Sequence, residues 1–379
     1  MSNTDFQRSL SPYGAPADSA PRWYFRLHID PILVVLLSVL IAYGLVVLRS
    51  AADGNEALFN AQLQRMGIAY IALIVAAQIP PHFYLRMAPL IYLLGLLFLV
   101  LVLFFGVSVK GSQRWLEVPG LLRFQPSELM KLAMPMAVAW YLQKRSLPPR
   151  PKYTLICLVI ITVPALLIGR QPDLGTSILV FGAGISALLL AGLAWRWVLW
   201  SVVLIVAAAP LLWQFVLEGY QRQRILTLFD PQSDPLGAGW NIIQSTTAIG
   251  SGGLFGKGLF QGSQSYLDFL PEARTDFIVA VMGEELGFVG IAFLLMLYLL
   301  IIARGLWLAT QAGSTFGRLL AGAFVLTFFV YLFVNVAMVS GILPVVGVPL
   351  PLVSYGGTSA ITLMAGFGVI MSVRTHKAW

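Results

Sequence analysis

Long apolar runs, separated by short clusters of charged residues, prolines and glycines, dominate the chain. A helix that crosses a bilayer needs roughly 20 predominantly apolar residues. Ten runs qualify as candidate spans, at residues 31–48, 66–80, 87–106, 127–143, 153–169, 174–194, 197–217, 276–303, 319–342 and 355–373. The fourth run is the weakest, because it contains Glu128, Lys131 and Pro135. The pattern predicts an all-α integral membrane protein with ten transmembrane helices.

The composition excludes a soluble enzyme, a disordered chain and a disulfide scaffold. Hydrophobic residues make up 58% of the sequence and charged residues only 11%, whereas about a quarter of the residues of a soluble domain are charged. The single cysteine, Cys157, lies in an apolar run, so neither a disulfide framework nor a thiolate metal site is expected. We attribute the net charge of +8 to basic residues of cytoplasmic loops, and we expect no nucleic-acid partner.

The basic residues also predict the orientation. Ten spans place both termini on one side, and the short loops on that side carry the larger share of Lys and Arg, so both termini are expected in the cytoplasm. The polar N-terminus lacks the pattern of a signal peptide. The predicted organisation is a cytoplasmic tail at 1–30, a single membrane domain at 31–373 and a cytoplasmic tail at 374–379.

Two loops differ from simple connections. A long extracytoplasmic segment at about 218–275 separates helices 7 and 8, and its aromatic residues and glycines favour an ordered cap over a disordered linker. The segment at about 341–357, GILPVVGVPLPLVSYGG, has too many prolines and glycines for a continuous helix. Because it carries no charge, we predict a re-entrant loop that lines a cavity.

Ionisable residues near the ends of the predicted spans are unusual, because charge at membrane depth is costly and by default indicates function. Glu128 and Lys131 in FQPSELMKL are three residues apart, so on a helix they share a face and can form an ion pair. Asp173 in GRQPDLGTS and Asp276 in FLPEARTDF each lie at the predicted outer end of a span. A purely structural explanation exists for each cluster, since Ser127 and Asp276 are both suited to capping a helix.

The outer loops carry more basic residues than the orientation rule requires. They are Lys110, Arg114 and Arg123 in one loop and Arg222, Arg224, Lys257 and Arg274 in the long one. Ordinary solvated loop charge is one explanation. Taken with the carboxylate clusters, however, they predict one cavity open to the outer leaflet. There a carboxylate can act as a general base and clustered Arg and Lys suit a phosphate or pyrophosphate. We expect a site for an anionic amphiphile, either a reaction centre or a translocation path.

These motifs resemble the SEDS family, the shape, elongation, division and sporulation proteins that polymerise peptidoglycan glycan strands. The family signature corresponds to NVAMVSGILPVVGVPLPLVSYGGTS, from Asn335 to Ser359, and FQPSELMKL, QPDLGT and FLPEARTDF match other family blocks in order. The resemblance extends from about residue 30 to the end of the chain. The last loop resembles the elongation branch, which serves rod shape, more than the division branch.

The resemblance implies a glycosyltransferase that uses lipid II in the outer leaflet of the cytoplasmic membrane and releases undecaprenyl pyrophosphate with inversion. Asp276 falls at the family's essential aspartate and would accept the proton of the attacking hydroxyl, with Lys131 holding that carboxylate in place. The supporting cavity would comprise Glu128, Lys131, Asp173, Ser127 and Gln125. The departing pyrophosphate would be stabilised by Arg114, Arg123, Lys257 and Arg274. A divalent cation, Mg or Mn, is expected near Glu128 and Asp173.

The resemblance also implies a partner, a class B penicillin-binding protein that crosslinks the strands, together with other membrane proteins of the elongation complex. The chain has no Ser-x-x-Lys tetrad in a soluble domain, so crosslinking is expected from that partner. Two other functions remain open on the residues alone. The same cavity could flip lipid II across the membrane, or the protein could be a non-catalytic scaffold for other wall enzymes.

Overall fold

The computed structural model describes residues 27–376, except for 53, 110–111, 118–122, 218, 234–237 and 263–271. Most of the predicted N-terminal tail and the last three residues of the C-terminal tail therefore lie outside the described residues. The described α-helices are α1 (Pro31–Ala51), α2 (Glu56–Gln78), α3 (Pro81–Phe105), α4 (Pro126–Leu142), α5 (Pro151–Gly169), α6 (Leu174–Leu190), α7 (Trp195–Leu211), α8 (Gly219–Phe229), α9 (Ala238–Ser251), α10 (Ile278–Thr310), α11 (Thr315–Val339) and α12 (Thr358–Thr375).

A helix is present at each of the ten predicted spans, namely α1–α7 and α10–α12. Among the described residues, seven helices are long and apolar enough to cross a membrane: α1, α2, α3, α5, α10, α11 and α12. α6 and α7 are apolar but have only 17 residues each. α4 is equally short and contains Glu128 and Lys131. The chain is thus a multi-pass, predominantly helical membrane protein.

The start of α2 and the segment after α3 both differ from the predictions. α2 begins ten residues before the predicted span, because the Asn55 side chain accepts a hydrogen bond from Leu58 N (3.0 Å) and caps a polar first turn. A small antiparallel sheet follows α3, with strands β1 (Val107–Val109), β2 (Ser112–Glu117) and β3 (Arg123–Phe124) in the order β1-β2-β3. The all-α prediction missed this sheet, because strands of two to six residues leave no usable periodicity.

α11 is the central helix of the bundle and is largely buried, with α4, α6, α10 and α12 packed around it. α12 also lies along α2. The two helices approach closely at Gly368, where a Cβ atom would lie only 2.3 Å from the backbone oxygen of Leu73. Small residues allow such backbone contact between membrane helices.

α10 is broken at Gly287, whose φ of 65° is left-handed. The glycine-rich segment that follows α9 binds the backbone groups exposed by this break. Phe288 N donates to Gly253 O (2.9 Å), and Gly258 N donates to Glu285 O (2.9 Å). Non-helical backbone at membrane depth requires such partners. The long loop is therefore anchored on α10, ten residues beyond the start of that helix.

An ionic cluster joins the ends of α1, α10 and α12 that lie farthest from the predicted site. The buried Asp30 carboxylate accepts hydrogen bonds from Arg304 Nε (3.1 Å) and Nη2 (2.8 Å) and from Arg374. The Trp307 ring lies beside both guanidinium groups, at 4.2 and 4.9 Å. Burial alone raises the pKa of Asp30, but the hydrogen bonds from Arg304 and from Leu33 N, together with the positive charges of Arg304 and Arg374, outweigh it and lower the pKa below 3.8.

Candidate active site

A cavity of about 710 Å³ lies between α4, α6, α11, the turn at 272–277 and parts of the last loop. Its lining includes six of the ten candidate site residues singled out in the sequence, namely the amide Gln125 and the ionisable residues Arg114, Glu128, Lys131, Asp173 and Asp276. These residues come from four separate parts of the chain. Segments 346–349 and 355–356 of the last loop, together with Thr358 and Ser359, form another part of the wall.

Asp276 lies in the turn at 272–277, immediately before α10. The N–H groups of Thr275 and Phe277 both donate to Glu272 O, at 3.1 and 3.2 Å. Phe277 occupies the N-cap position of α10, so Asp276 is not the cap that its position suggested. A Cβ atom on Gly347, which has a left-handed φ of 73°, would lie 3.5 Å from Asp276 Oδ2. The last loop therefore passes directly beside the carboxylate.

Glu128 and Lys131 form the ion pair that their spacing predicted. Lys131 Nζ lies 2.5 Å from Glu128 Oε1, and the two residues are only 5% and 9% exposed. Thr362 Oγ1 donates to the other oxygen of Glu128 (3.2 Å). Lys131 Nζ also lies 5.2 Å from the centroid of the Tyr331 ring. The ammonium group is thus held by Glu128, and not by Asp276 as we had expected.

Asp173 occupies the N-cap position of α6 and accepts a hydrogen bond from Thr176 N (3.2 Å). Its carboxylate also accepts from Gln125 Nε2 (3.2 Å) and lies 3.4 Å from Arg114 Nη1. Asp173 is thus a cap and at the same time part of a polar cluster in the cavity wall. β2 carries Arg114 to this cluster, which a sequence pattern could not show.

The four predicted pyrophosphate-binding residues do not all converge. Arg114 lines the cavity. The backbone of Arg123 belongs to β3, but its side chain lies outside what the structure describes. Lys257 Nζ pairs with the buried Glu284 at 2.6 Å, and Arg274 Nε donates to Ala51 O at 2.9 Å. Neither Lys257 nor Arg274 is among the residues that line the cavity, because the outer loop folds them onto α10 and α1.

Ser127 does not have its predicted place either. α4 begins at Pro126, and Gln125 occupies the N-cap position, so Ser127 is not the cap. Its side chain is 2% exposed and its hydroxyl has no hydrogen-bond partner among the described residues. It does not line the cavity.

Comparison with known proteins identifies the chain. Residues 27–378 match the model of the cell cycle proteins FtsW, RodA and SpoVE. The chain belongs to this family. The resemblance carried by the signature motifs is thereby confirmed, and the matched residues include every part of the cavity wall described above.

Two relatives within the FtsW/RodA/SpoVE family illustrate the range of similarity. The peptidoglycan glycosyltransferase MrdB of Escherichia coli (strain K12) is 52% identical over 352 residues, which are 93% of this chain and 95% of that protein. A probable peptidoglycan glycosyltransferase FtsW of Geobacter sp. (strain M18) is 35% identical and covers 92% of this chain and 97% of its own.

Two solved structures share the fold. One chain of a peptidoglycan synthase complex that coordinates polymerization and crosslinking superposes with a TM-score of 0.81 at 31% identity, covering 92% of this chain and 99% of its own. The rod shape determining protein RodA of Thermus thermophilus superposes with a TM-score of 0.69 at 30% identity, covering 91% of this chain and 96% of its own.

Several residues that line the cavity were not singled out by the sequence analysis. Arg224 on α8 belongs to the surplus of outer basic residues, but nothing in the sequence separated it from Arg222 or Lys257. Tyr331 is 1% exposed in α11 and lies in an apolar run that indicates only a span. Tyr355 belongs to the signature itself, and the Arg65 guanidinium lies 4.5 Å from its ring. Their distance in the chain from the carboxylates concealed them.

Proposed function

We propose that this protein is a peptidoglycan glycosyltransferase that polymerises glycan strands from lipid II. The observation that carries the proposal is one polar cavity within a membrane bundle, where Asp276, the Glu128–Lys131 pair and the Arg114–Asp173 pair all line the wall. Relatives at 52% and 35% identity bear the name peptidoglycan glycosyltransferase. The higher identity belongs to MrdB and favours a role in cell elongation and rod shape over one in division.

The proposed topology is ten transmembrane helices, α1–α7 and α10–α12, with both termini in the cytoplasm and the protein in the bacterial inner membrane. The positive-inside rule supports this orientation. In this orientation the ends of α10 and α12 that carry Arg304 and Arg374 lie in the cytoplasm. The opposite ends of these helices lie with the cavity at the outer leaflet. The short helices α4 and α6 border the cavity. Each therefore needs to cross only the part of the bilayer thickness that the cavity does not occupy.

In the proposed reaction, the sugar 4-hydroxyl of an acceptor attacks the anomeric carbon of lipid II. The new glycosidic C–O bond forms as the bond to undecaprenyl pyrophosphate breaks, and the configuration inverts. Asp276 accepts the hydroxyl proton. Arg114 and Arg224 supply positive charge for the departing pyrophosphate. The Glu128–Lys131 pair forms a fixed polar wall beside them.

A divalent cation, Mg or Mn, remains part of the proposal. Mg typically binds one or two carboxylates together with substrate phosphates, which Glu128 and Asp173 with a pyrophosphate could provide. Each carboxylate already has a cationic partner, however, and no group of three or more metal-binding side chains occurs in the part of the chain that the structure describes. The substrate would therefore supply most of the ligands, and the cation would add positive charge at the leaving group.

The proposed partner is a class B penicillin-binding protein, a transpeptidase that crosslinks the new strands, within a larger elongation complex. The similarity to a chain of a peptidoglycan synthase complex that coordinates polymerization and crosslinking supports this partner. Flipping of lipid II is the rival function of the same cavity, and the division role is the rival within the family.

The decisive experiment incubates purified protein with lipid II, with and without the transpeptidase, and measures glycan polymer. Asp276→Asn removes the proton acceptor but keeps the shape of the side chain, and we expect no polymer. Asp230→Asn is the matched control, because Asp230 lies on the same outer segment and outside the cavity, and among the described residues its carboxylate accepts a hydrogen bond only from Gln232 N (3.2 Å), in a local turn. Wild-type polymerisation by Asp276→Asn would refute the proposed role. Flipping in liposomes without any polymer would favour the transporter.

A further inference from the structure

Asn335 joins the turn that carries Asp276 to the last loop. Its side chain is fully buried in α11, and Nδ2 donates both to Asp276 O (2.8 Å) and to Val348 O (2.7 Å). The two acceptors belong to the two segments that face each other across one corner of the cavity. Asn335 itself does not line the cavity. It therefore contacts the backbone of the proposed base and has no access to the substrate.

The two backbone carbonyl groups that precede Asp276 O also accept hydrogen bonds, and their donors lie in the last loop. Tyr355 N donates to Arg274 O (2.8 Å), and the Ser354 hydroxyl donates to Thr275 O. Ser354 Oγ in turn accepts a hydrogen bond from Leu350 N (2.8 Å), which fixes the direction of its own proton. Three successive carbonyl groups of the turn thus have donors from the family signature.

The last loop is itself anchored by buried side chains of other helices. Gln62 on α2 is fully buried; its Nε2 donates to Ser354 O (3.3 Å), and its Oε1 accepts from Gly356 N (3.2 Å). Tyr298 on α10 donates from its hydroxyl to Pro351 O (2.6 Å). The loop is thereby a rigid support, and its contacts determine where the turn lies.

We infer that Asn335 is a positioning residue for Asp276: its amide group fixes the backbone of the turn so that the carboxylate faces the acceptor hydroxyl. The inference rests on the proposed function, in which Asp276 accepts the proton. Proton transfer requires hydrogen-bond distance in the reacting complex. A displacement of about 1 Å at a reacting group costs on the order of 100-fold in rate. Loss of the amide therefore lowers kcat and leaves substrate binding largely intact.

The test compares Asn335→Asp and Asn335→Ala with wild type in glycan synthesis from lipid II. The Asp variant keeps the volume but places an oxygen where the two carbonyl groups need a donor. We expect kcat to fall by about 100-fold, with KM for lipid II and its direct binding within about threefold of wild type. Thr327→Val is the matched control on α11, because in the part of the chain that the structure describes this buried hydroxyl bonds only to Ala323 O of the same helix (2.7 Å). It should retain wild-type kcat.

Wild-type kcat in both Asn335 variants would overturn the inference, and so would a loss confined to KM or lipid II binding. If neither variant yields folded, monodisperse protein, Ser354→Ala decides, because it removes the adjacent donor at little cost in volume. Wild-type kcat in that variant would then refute positioning by the signature. Asp276→Asn in the same assay separates the two proposals. If Asp276→Asn is active, the proposed role of Asp276 as the base is refuted. If Asp276→Asn is inactive while both Asn335 variants are fully active, only the positioning role of Asn335 is refuted.

Discussion

The Glu128–Lys131 pair offers the sharpest test of the cavity wall. At 2.5 Å and an effective dielectric constant of about 20, the Coulomb attraction is roughly 7 kcal/mol. The desolvation of two buried ions offsets most of this gain. The pair is therefore expected to add little net stability, but removal of one partner leaves an unpaired charge and costs about 3–5 kcal/mol.

A double-mutant cycle measures this directly. Lys131→Met and Glu128→Gln should each lower the free energy of unfolding in detergent by about 3–5 kcal/mol. The double variant, which buries no net charge, should recover more than half of the summed loss of the two single variants, so the coupling energy should reach about 3 kcal/mol or more. Every variant should lose glycan synthesis, because the charged wall is gone.

The result that refutes this reasoning is additivity. If the double variant is as unstable as the sum of the single variants, the two groups do not compensate each other, and the contact has no energetic role. If the double variant recovers both stability and glycan synthesis, the expectation that the charged wall is needed for synthesis is refuted. The pair would then be a packing element with no part in the reaction.

Three further predictions follow from separate parts of the molecule. Gly368→Ala should lower the free energy of unfolding by about 1–3 kcal/mol, because its Cβ would lie 2.3 Å from a backbone oxygen of α2. Gly366→Ala is the control in the same thermal unfolding assay and should be near neutral, because its Cβ would lie 3.7 Å from the nearest atom. Because Arg304 and Arg374 lower the pKa of Asp30 below 3.8, the stabilisation it provides is complete above that pH and is lost as the pH falls through the lowered pKa. Asp30→Asn should therefore be less stable than wild type at pH 7, with the difference shrinking below about pH 4. Chelation by EDTA should slow glycan synthesis but leave the Tm of the substrate-free protein unchanged, because Glu128 and Asp173, the proposed metal ligands, each already pair with a cationic side chain; a fall in Tm would indicate a resident metal.

Local signals in the sequence were sufficient for much of the fold. Apolar runs mark helices because each run must match the bilayer, and even the charged run of α4 lies where it was predicted. The spacing of Glu128 and Lys131 predicted their ion pair because both lie on one helix. The partner of Arg114 could not be predicted from the sequence. It depends on how β2 folds back toward α6, and a contact between strands and helices leaves no period in the sequence.

The same limit explains why two of the predicted pyrophosphate-binding residues lie apart from the cavity. The sequence groups Lys257 and Arg274 with the pyrophosphate because it shows only on which side of the membrane a loop charge lies. Their actual partners, Glu284 and the backbone of Ala51, depend on the path of the outer loop over α10 and α1. A count of charges by side locates a polar cavity. Which cations enter it is decided by tertiary contacts.

The last loop shows why an uncharged, non-helical segment belongs at membrane depth. Its prolines and left-handed positions, such as Gly347 and Leu352, prevent a helix and so leave backbone groups without partners of their own. In a bilayer such groups must bind other protein groups. The partners here include the turn at 272–277 and Gln62. The feature that disrupts the helix is thus what lets the loop hold the turn that carries Asp276, and a regular helix at this place would have used its N–H groups internally.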